Sequence, residues 1–107
     1  MTEQRQHARY QVEFPAIFEG DHAGIGIVYN LGIGGCKVVS DLAVQHGALL
    51  TVQLHIPGES RPIVIDNAAV RWSRSAGIGL EFLMVAPPHQ DRLDHIIRQL
   101  QPKTGAQ

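Results

Sequence analysis

The chain has 107 residues, of which 44% are hydrophobic and 18% are charged, and its formal net charge is −1 at pH 7. This composition predicts one folded soluble domain, and the near-neutral charge excludes a global field that would draw the protein onto nucleic acid or an acidic membrane. Because Cys36 is the only cysteine and the chain has neither a run of roughly 20 apolar residues nor the apolar stretch of a signal peptide, we expect a cytoplasmic protein without disulfides or membrane insertion.

Strand-like alternation begins with the segment VEFPAIF. Val12, Phe14, Ala16 and Phe18 share one face of this segment, which is the period of a β-strand. Pro15 interrupts the other face and is expected at an edge or a bulge, because proline cannot donate to a strand ladder. After the turn signal GDHAG, a second strand is predicted in which Ile25, Ile27 and Tyr29 alternate with Gly24, Gly26 and Val28.

The middle of the chain continues the strand pattern. The glycine-rich segment NLGIGG, residues 30–35, is followed by a short strand that contains Cys36. The clearest strand is LLTVQLHI, in which Leu50, Val52, Leu54 and Ile56 face one way. Further strands are predicted at PIVIDNAAVRW and IGLEFL, and SRSAG, residues 73–77, reads as the hairpin connection between them.

The last part of the chain changes period. Leu93, Ile96, Ile97 and Leu100 recur at helical spacing, with Pro87 and Pro88 at the predicted start and Pro102 at the predicted stop. The sequence therefore predicts a mainly β fold, a small six-stranded antiparallel split β-barrel with a C-terminal α-helix at about residues 88–101. We expect a flexible arm at residues 1–9, the barrel and helix at 10–102, and a mobile tail at 103–107.

The residues give no support for enzyme chemistry. None of the six histidines lies in a metal-ligand pattern, and a single cysteine cannot form a thiolate metal site. The chain also lacks a nucleophile elbow, a phosphate-loop lysine motif and paired carboxylates. We therefore expect a protein that is not an enzyme and has neither a metal nor a cofactor.

Two segments point instead to anion binding. Arg5 and Arg9 lie four residues apart in RQHAR, and a guanidinium pairs with phosphate and stacks on flat rings. In NLGIGG, Asn30 offers an amide to a base edge, while Gly32, Gly34 and Gly35 allow positive φ and close approach of backbone N–H groups to an anion. Taken singly, the arginine pair also fits a solvated tail, and the glycines fit an ordinary tight turn.

Several other residues suit structural roles. Trp72 is expected as a half-buried barrel aromatic, with a stacking platform as the alternative. Arg71 and Arg74 bracket it, and their positions fit either a solvated strand and turn or added charge near the site. Cys36 fits a small buried apolar residue, and Gly77 and Gly79 fit hairpin and packing glycines.

Together these features resemble the PilZ domain family over nearly the whole chain. RQHAR matches the family's R-x-x-x-R motif, NLGIGG matches its (D/N)-x-S-x-x-G motif, and AVRW followed by GIGLEF is similar to its late hairpin. The resemblance implies a receptor for cyclic di-GMP, a bacterial second messenger with two phosphates and two guanines. It further implies that Arg5 and Arg9 grip phosphate and stack on guanine, that Asn30 bonds a guanine edge, and that Gly34 and Gly35 lie against the ligand.

The chain departs from the family pattern at Gly32, where the family has serine. Loss of one ligand-contacting hydroxyl should cost on the order of 1 kcal/mol, roughly fivefold in affinity. The neighbours of the arm motif, Gln4 and Gln6, replace the extra arginine of members that bind a stacked pair of ligands. This replacement predicts a single bound ligand.

Two rival functions remain open at this level. A degenerate PilZ-type adaptor would bind no nucleotide and act only through protein contacts, for example in motility or pilus assembly, and Gly32 is the feature that favours it. A binder of single-stranded nucleic acid would need a basic groove with interleaved aromatics, which this near-neutral chain does not offer. As a receptor without an output domain, the protein would relay its signal by ordering of the arm, through an unidentified downstream protein or by self-association as a homo-oligomer.

Overall fold

Six antiparallel strands close into a barrel in the computed structural model, which describes residues 8–101. The order of neighbours around the barrel is β1-β2-β3-β6-β5-β4, and β4 pairs with β1 to complete the ring. The prediction of a mainly β, six-stranded antiparallel barrel with a C-terminal helix is confirmed. The elements are β1 (Arg9–Gly20), β2 (Gly24–Gly32), β3 (Gly35–Val39), β4 (Leu49–Leu54), β5 (Ile63–Arg74), β6 (Gly77–Met84) and α1 (Pro87–Leu100).

Alternation along the strands sets which side chains fill the barrel. In β1, Ala16 and Phe18 are fully buried, and Val12 and Phe14 pack partly against the same core. Leu50, Val52 and Leu54 of β4 point into the barrel in the same way, as predicted. The sequence left open which face of β2 is internal: Val28 is buried there, whereas 72% of Ile25 is exposed.

Pro15 marks the point at which the ladder between β1 and β4 ends. Pairing of the two strands starts at Ala16 opposite Leu54, and the carbonyl oxygen of Pro15 accepts a hydrogen bond from the backbone N–H of His55 at 2.8 Å. The nitrogen and oxygen of a strand residue point to the same side, so the missing N–H of Pro15 also faces the end of β4. The proline therefore lies at a ladder edge, as its chemistry requires.

The helix packs its apolar face onto the barrel core through Leu93, Ile96 and Ile97, which confirms the predicted stripe. Pro87 and Pro88 occupy its first positions, where a missing N–H costs no helical hydrogen bond. Nδ1 of His89 accepts the backbone N–H of Val64 at 3.1 Å. Together these contacts hold the helix against the start of β5. Within residues 8–101, no helix is both long enough and apolar enough to cross a membrane.

The predicted arm and tail fall mostly beyond this description. Residues 1–7 and 102–107 lie outside the described range, and with them Arg5, Pro102 and the tail at 103–107. Arg9, the last residue of the expected arm, is the first residue of β1 and pairs with Gly32. The described barrel thus begins at the second arginine of the motif.

Candidate functional site

A cleft of about 640 Å³ opens on the outer wall of the barrel, where four segments meet. The segments are the start of β1, the connection between β2 and β3, the end of β5 and the middle of β6. The cleft brings together Arg9 and the glycines of the β2–β3 turn, which the sequence singled out, with Arg71, Trp72 and Glu81 of the last hairpin. Residues distant in the chain are joined here because β3 pairs with β6.

Arg9 stands at the rim of this cleft with an exposed side chain. Its backbone pairs with Gly32 across β1 and β2, so the start of β1 lies directly against the turn. Arg5, the other predicted arginine, lies outside the described residues. The structure therefore brings one of the two arginines to the glycine turn.

The glycines of the turn are needed for close contact. A Cβ added at Gly32 would lie 2.9 Å from the carbonyl oxygen of Ala8, and one at Gly35 would overlap the carbonyl oxygen of Leu80. The described glycines with positive φ are Gly20, Gly47 and Gly58, so the positive φ that glycine allows is not used at Gly32, Gly34 or Gly35. At Gly32 and Gly35 the close approach is to the protein's own backbone, and the expected approach of the turn to an anion remains a prediction.

Backbone contacts hold the turn against β6. The N–H of Phe82 donates to the carbonyl oxygen of Gly34 at 2.9 Å, and Gly35 pairs with Glu81. The turn and the last hairpin consequently form one continuous surface. A ligand on the glycine turn would also reach the outer side chains of β6.

Asn30 is placed differently from the glycines. It lies within β2, paired with Gln11 on one side and Lys37 on the other, and it does not line the cleft. Its side-chain oxygen Oδ1 is buried and, within residues 8–101, has no hydrogen-bond partner. A buried acceptor without a donor is unfavourable. The predicted contact between Asn30 and a base therefore remains a prediction.

Trp72 forms a wall of the cleft that the motifs did not indicate. Its indole lies flat over Gly79, the residue opposite it in β6, so closely that a Cβ at Gly79 would overlap Nε1. The guanidinium of Arg74 lies 5.9 Å from the ring centroid, within cation–π range. The expectation of a half-buried barrel aromatic is confirmed, with Gly79 as its packing glycine, and the same ring also borders the cleft.

Cys36 contributes to the cleft without offering reactive chemistry. Burial raises the pKa of its thiol to about 12, and the nearby positive charge of Arg9 only partly opposes this shift. The thiol therefore stays protonated at neutral pH, and a protonated thiol is a poor nucleophile and metal ligand. This agrees with the expectation of a small buried apolar residue. Among residues 8–101, no three histidine, cysteine or acidic side chains group as metal ligands would.

The charged groups of the cleft are two arginines and one glutamate. Nε of Arg71 donates to Oε1 of Glu81 at 2.6 Å, and Arg9 lines the same cleft. An arginine fork, a turn in which Gly34 is partly exposed and a flat indole in one cleft suit a ligand that carries both a phosphate and an aromatic ring. Counting residues back from the hairpin turn could have predicted that Trp72 lies opposite Gly79. No sequence signal marked Arg71 and Glu81 as a pair.

Comparison with known proteins agrees with the fold. The PilZ domain model matches residues 3–99, and no curated protein gives a match. A PilZ domain of YcgR from Escherichia coli, solved with c-di-GMP, is 16% identical with a TM-score of 0.72, and 92% of each chain is covered. The PilZ domain of CeSA from a cellulose-synthesizing bacterium is 11% identical with a TM-score of 0.69, covering 87% of this chain and 97% of that one.

A third similar structure is the inhibitor of motility MotI/DgrA from Bacillus subtilis, at 26% identity and a TM-score of 0.71. The alignment covers 92% of this chain but only 52% of MotI, so the chain spans about half the length of that relative. The two matches below 25% identity support the fold alone. With the family model covering nearly the whole sequence and the same barrel in all three structures, the chain belongs to the PilZ domain family.

Proposed function

We propose that this PilZ domain is a non-enzymatic receptor that binds cyclic di-GMP in the cleft and relays the signal by ordering its N-terminal arm and changing a protein contact. The observation that carries the proposal is the meeting of Arg9, the glycine turn and Trp72 in one cleft. Family membership supports it, as does the c-di-GMP that accompanies the similar domain of YcgR.

The ligand's chemistry matches the groups in the cleft. Each phosphate of cyclic di-GMP suits a guanidinium, which Arg9 supplies at the rim and which the motif assigns to Arg5 as well. Among the turn glycines that line the cleft, Gly34 is partly exposed and can bring its backbone close to a phosphate, whereas Gly32 and Gly35 are buried against Ala8 and Leu80. Asn30 would meet a guanine only if its buried amide turned outward, and the absence of a partner for its Oδ1 makes that rotation inexpensive.

Trp72 gives the guanine base a flat surface. Since one face of the indole covers Gly79, a base would stack on the opposite face, where the guanidinium of Arg74 lies over the ring and would have to move aside. Stacking of a base on an aromatic side chain is worth about 1–3 kcal/mol by alanine substitution. That range corresponds to roughly 5- to 150-fold in affinity, enough to offset the hydroxyl that is absent at Gly32.

Gly32 is also the observation that favours the second candidate, a degenerate adaptor that binds no nucleotide. In that case the cleft would be vestigial, and the protein would act through contacts with other proteins. An adaptor would need the fold, but it would not need Arg9 and Trp72 to lie in one cleft. Direct titration with cyclic di-GMP separates the two functions.

Titration of the unaltered protein with cyclic di-GMP should quench its tryptophan emission in a saturable way. Trp72 is the only tryptophan, so excitation at its red edge reports on the cleft alone. We expect a dissociation constant in the micromolar range or tighter and one ligand per chain, measured in parallel by isothermal titration calorimetry. GMP serves as the control ligand and should give neither heat nor quenching.

The possible outcomes distinguish the models. Saturable heat without any change of emission would place the base away from Trp72 while leaving the receptor function intact. Neither heat nor a thermal shift at near-millimolar ligand would contradict the receptor proposal and favour the adaptor. A Trp72→Tyr variant keeps a ring over Gly79, and we expect it to retain most of the heat while losing the fluorescence signal.

Restoring the family serine at Gly32 should weaken binding. The new Cβ would lie 2.9 Å from the carbonyl oxygen of Ala8 and 3.1 Å from Cγ of Arg9, so the start of β1 must move away from the turn and take Arg9 with it. We expect Gly32→Ala to lose about tenfold in affinity by calorimetry, and Gly32→Ser to recover roughly fivefold of that loss through its hydroxyl. A serine variant that binds more tightly than the unaltered protein would show that the start of β1 adjusts freely.

A further inference from the structure

The wall of the cleft between the glycine turn and Trp72 carries the Arg71–Glu81 ion pair. About half of each side chain is exposed, 49% for Arg71 and 51% for Glu81. Exposed pairs of this kind contribute little to stability, because water and salt screen them. The fold therefore does not account for the pair, and its position in the cleft suggests a role in binding.

A bulge in β5 gives the pair its position. Val70 pairs with Leu80 and Trp72 pairs with Gly79, which leaves Arg71 as an extra residue without a partner in β6. A bulge redirects the side chains around it, and here both Arg71 and Trp72 border the cleft. Glu81 meets Arg71 from the neighbouring strand and stands opposite Gly35 of the turn.

The ion pair leaves part of the hydrogen-bonding capacity of both side chains unused. Within the described part of the chain, the contact between the two side chains uses Nε of Arg71 and Oε1 of Glu81, while both Nη groups and Oε2 have no protein partner. The cleft thus presents a donor from Arg71 beside an acceptor from Glu81. Among the described residues that line it, Glu81 is the only acid.

We propose that Arg71 and Glu81 together select guanine over adenine in the bound dinucleotide. This inference rests on the proposed receptor function. Guanine carries the acceptor O6 beside the donor N1–H, followed by the donor group N2–H₂, so an Nη of Arg71 meets O6 while Oε2 of Glu81 accepts from N1–H. Adenine carries the donor N6–H₂ beside the acceptor N1, and in the same pose it opposes a donor to Arg71 and an acceptor to Glu81.

The position of the base is fixed from two sides, which is why the pair discriminates. The ring stacks on Trp72, next to Arg71 in the chain, and the phosphate to which its sugar is joined lies at Arg9 and the turn. A base held at both points presents one edge to the ion pair. The carboxylate of Glu81 repels the anionic phosphates, so it lowers the affinity for any cyclic dinucleotide. Only guanine compensates for this loss, through the hydrogen bond from its N1–H to Oε2.

The test compares cyclic di-GMP with cyclic di-AMP, which share the phosphate ring and differ in the bases. The quantity measured by calorimetry is the ratio of their dissociation constants, for the unaltered protein and for Glu81→Gln. We expect the unaltered protein to prefer cyclic di-GMP by at least tenfold, and we expect the substitution to reduce that ratio by at least fivefold. Removing the negative charge should strengthen the binding of cyclic di-AMP more than that of cyclic di-GMP, which also loses a charge-assisted hydrogen bond, so the ratio is the decisive number.

Matched variants separate selection from general electrostatics. Glu13→Gln removes the same charge from an exposed position of β1 outside the cleft, and it should leave the ratio unchanged. Arg71→Lys keeps the charge but loses the guanidinium fork, and it should reduce the ratio as Glu81→Gln does. A ratio unchanged in both cleft variants overturns the inference and leaves the receptor function standing. Failure of the unaltered protein to bind cyclic di-GMP overturns both.

Discussion

Arg9→Ala should weaken the binding of cyclic di-GMP by more than tenfold while leaving the fold intact. The guanidinium stands exposed at the rim of the cleft, and a charge-assisted contact with phosphate is worth about 1.5–3 kcal/mol. Only the backbone of Arg9 takes part in the pairing with Gly32, and alanine keeps that backbone. The thermal midpoint of the ligand-free protein should therefore change by less than about 4 °C.

Calorimetry and thermal melts of the same preparations check this result. Arg61→Ala is a suitable control, because it removes an equal charge from an exposed loop position outside the cleft. It should bind as the unaltered protein does. Arg5→Ala should behave like Arg9→Ala on the strength of the motif. If Arg9→Ala unfolds the protein, the residue is structural, and its assignment to the ligand is wrong.

The strand pattern predicted the fold because alternation is a local property. Each strand of the barrel must bury one face, so residues such as Phe18 and Val52 reveal their environment by period alone. Alternation does not reveal which face is internal when both are apolar. In β2 the buried residues include glycine and valine positions, while Ile25 and Ile27 face outward.

The site was less predictable, since it depends on which strands become neighbours. The motifs identified Arg9 and the glycines, but the pairing of β3 with β6 brings the last hairpin beside them. Part of this arrangement could be read from the chain. Counting back from the two-residue turn at Ser75 and Ala76 places Trp72 opposite Gly79, where an aromatic ring covers a glycine.

Counting residues along the hairpin does not predict the position of Arg71, and the reason is physical. Strict alternation would place residues 70 and 72 on one face, whereas the bulge separates the buried Val70 from Trp72 in the cleft. A bulge changes the register by one residue and leaves no composition signal in this segment. The contact of Arg71 with Glu81 follows from that shift, and it could be recognised only in the folded chain.

Gly35→Ala should destabilise the protein by about 3 kcal/mol. Gly35 forms the floor of the cleft, where the backbone of β3 lies directly against that of β6. The added Cβ would overlap the carbonyl oxygen of Leu80, which belongs to the ladder between β3 and β6 and has no freedom to turn aside. The strands must separate there, at the expense of backbone hydrogen bonds that a closed barrel cannot replace. A loss of this size lowers the thermal midpoint of a domain of this length by roughly 12–24 °C.

Gly24→Ala provides the matched comparison in thermal and denaturant melts. Its Cβ would lie 3.3 Å from the methyl groups of Leu42, and a side chain can shift by the few tenths of an ångström required, so we expect little loss of stability. If Gly35→Ala melts like Gly24→Ala, β3 and β6 do not approach as closely as described, and the floor of the cleft is wider than the contacts require. If it melts far lower, glycine at this position is needed to join the turn to the last hairpin, and the fold itself requires the turn sequence irrespective of any ligand.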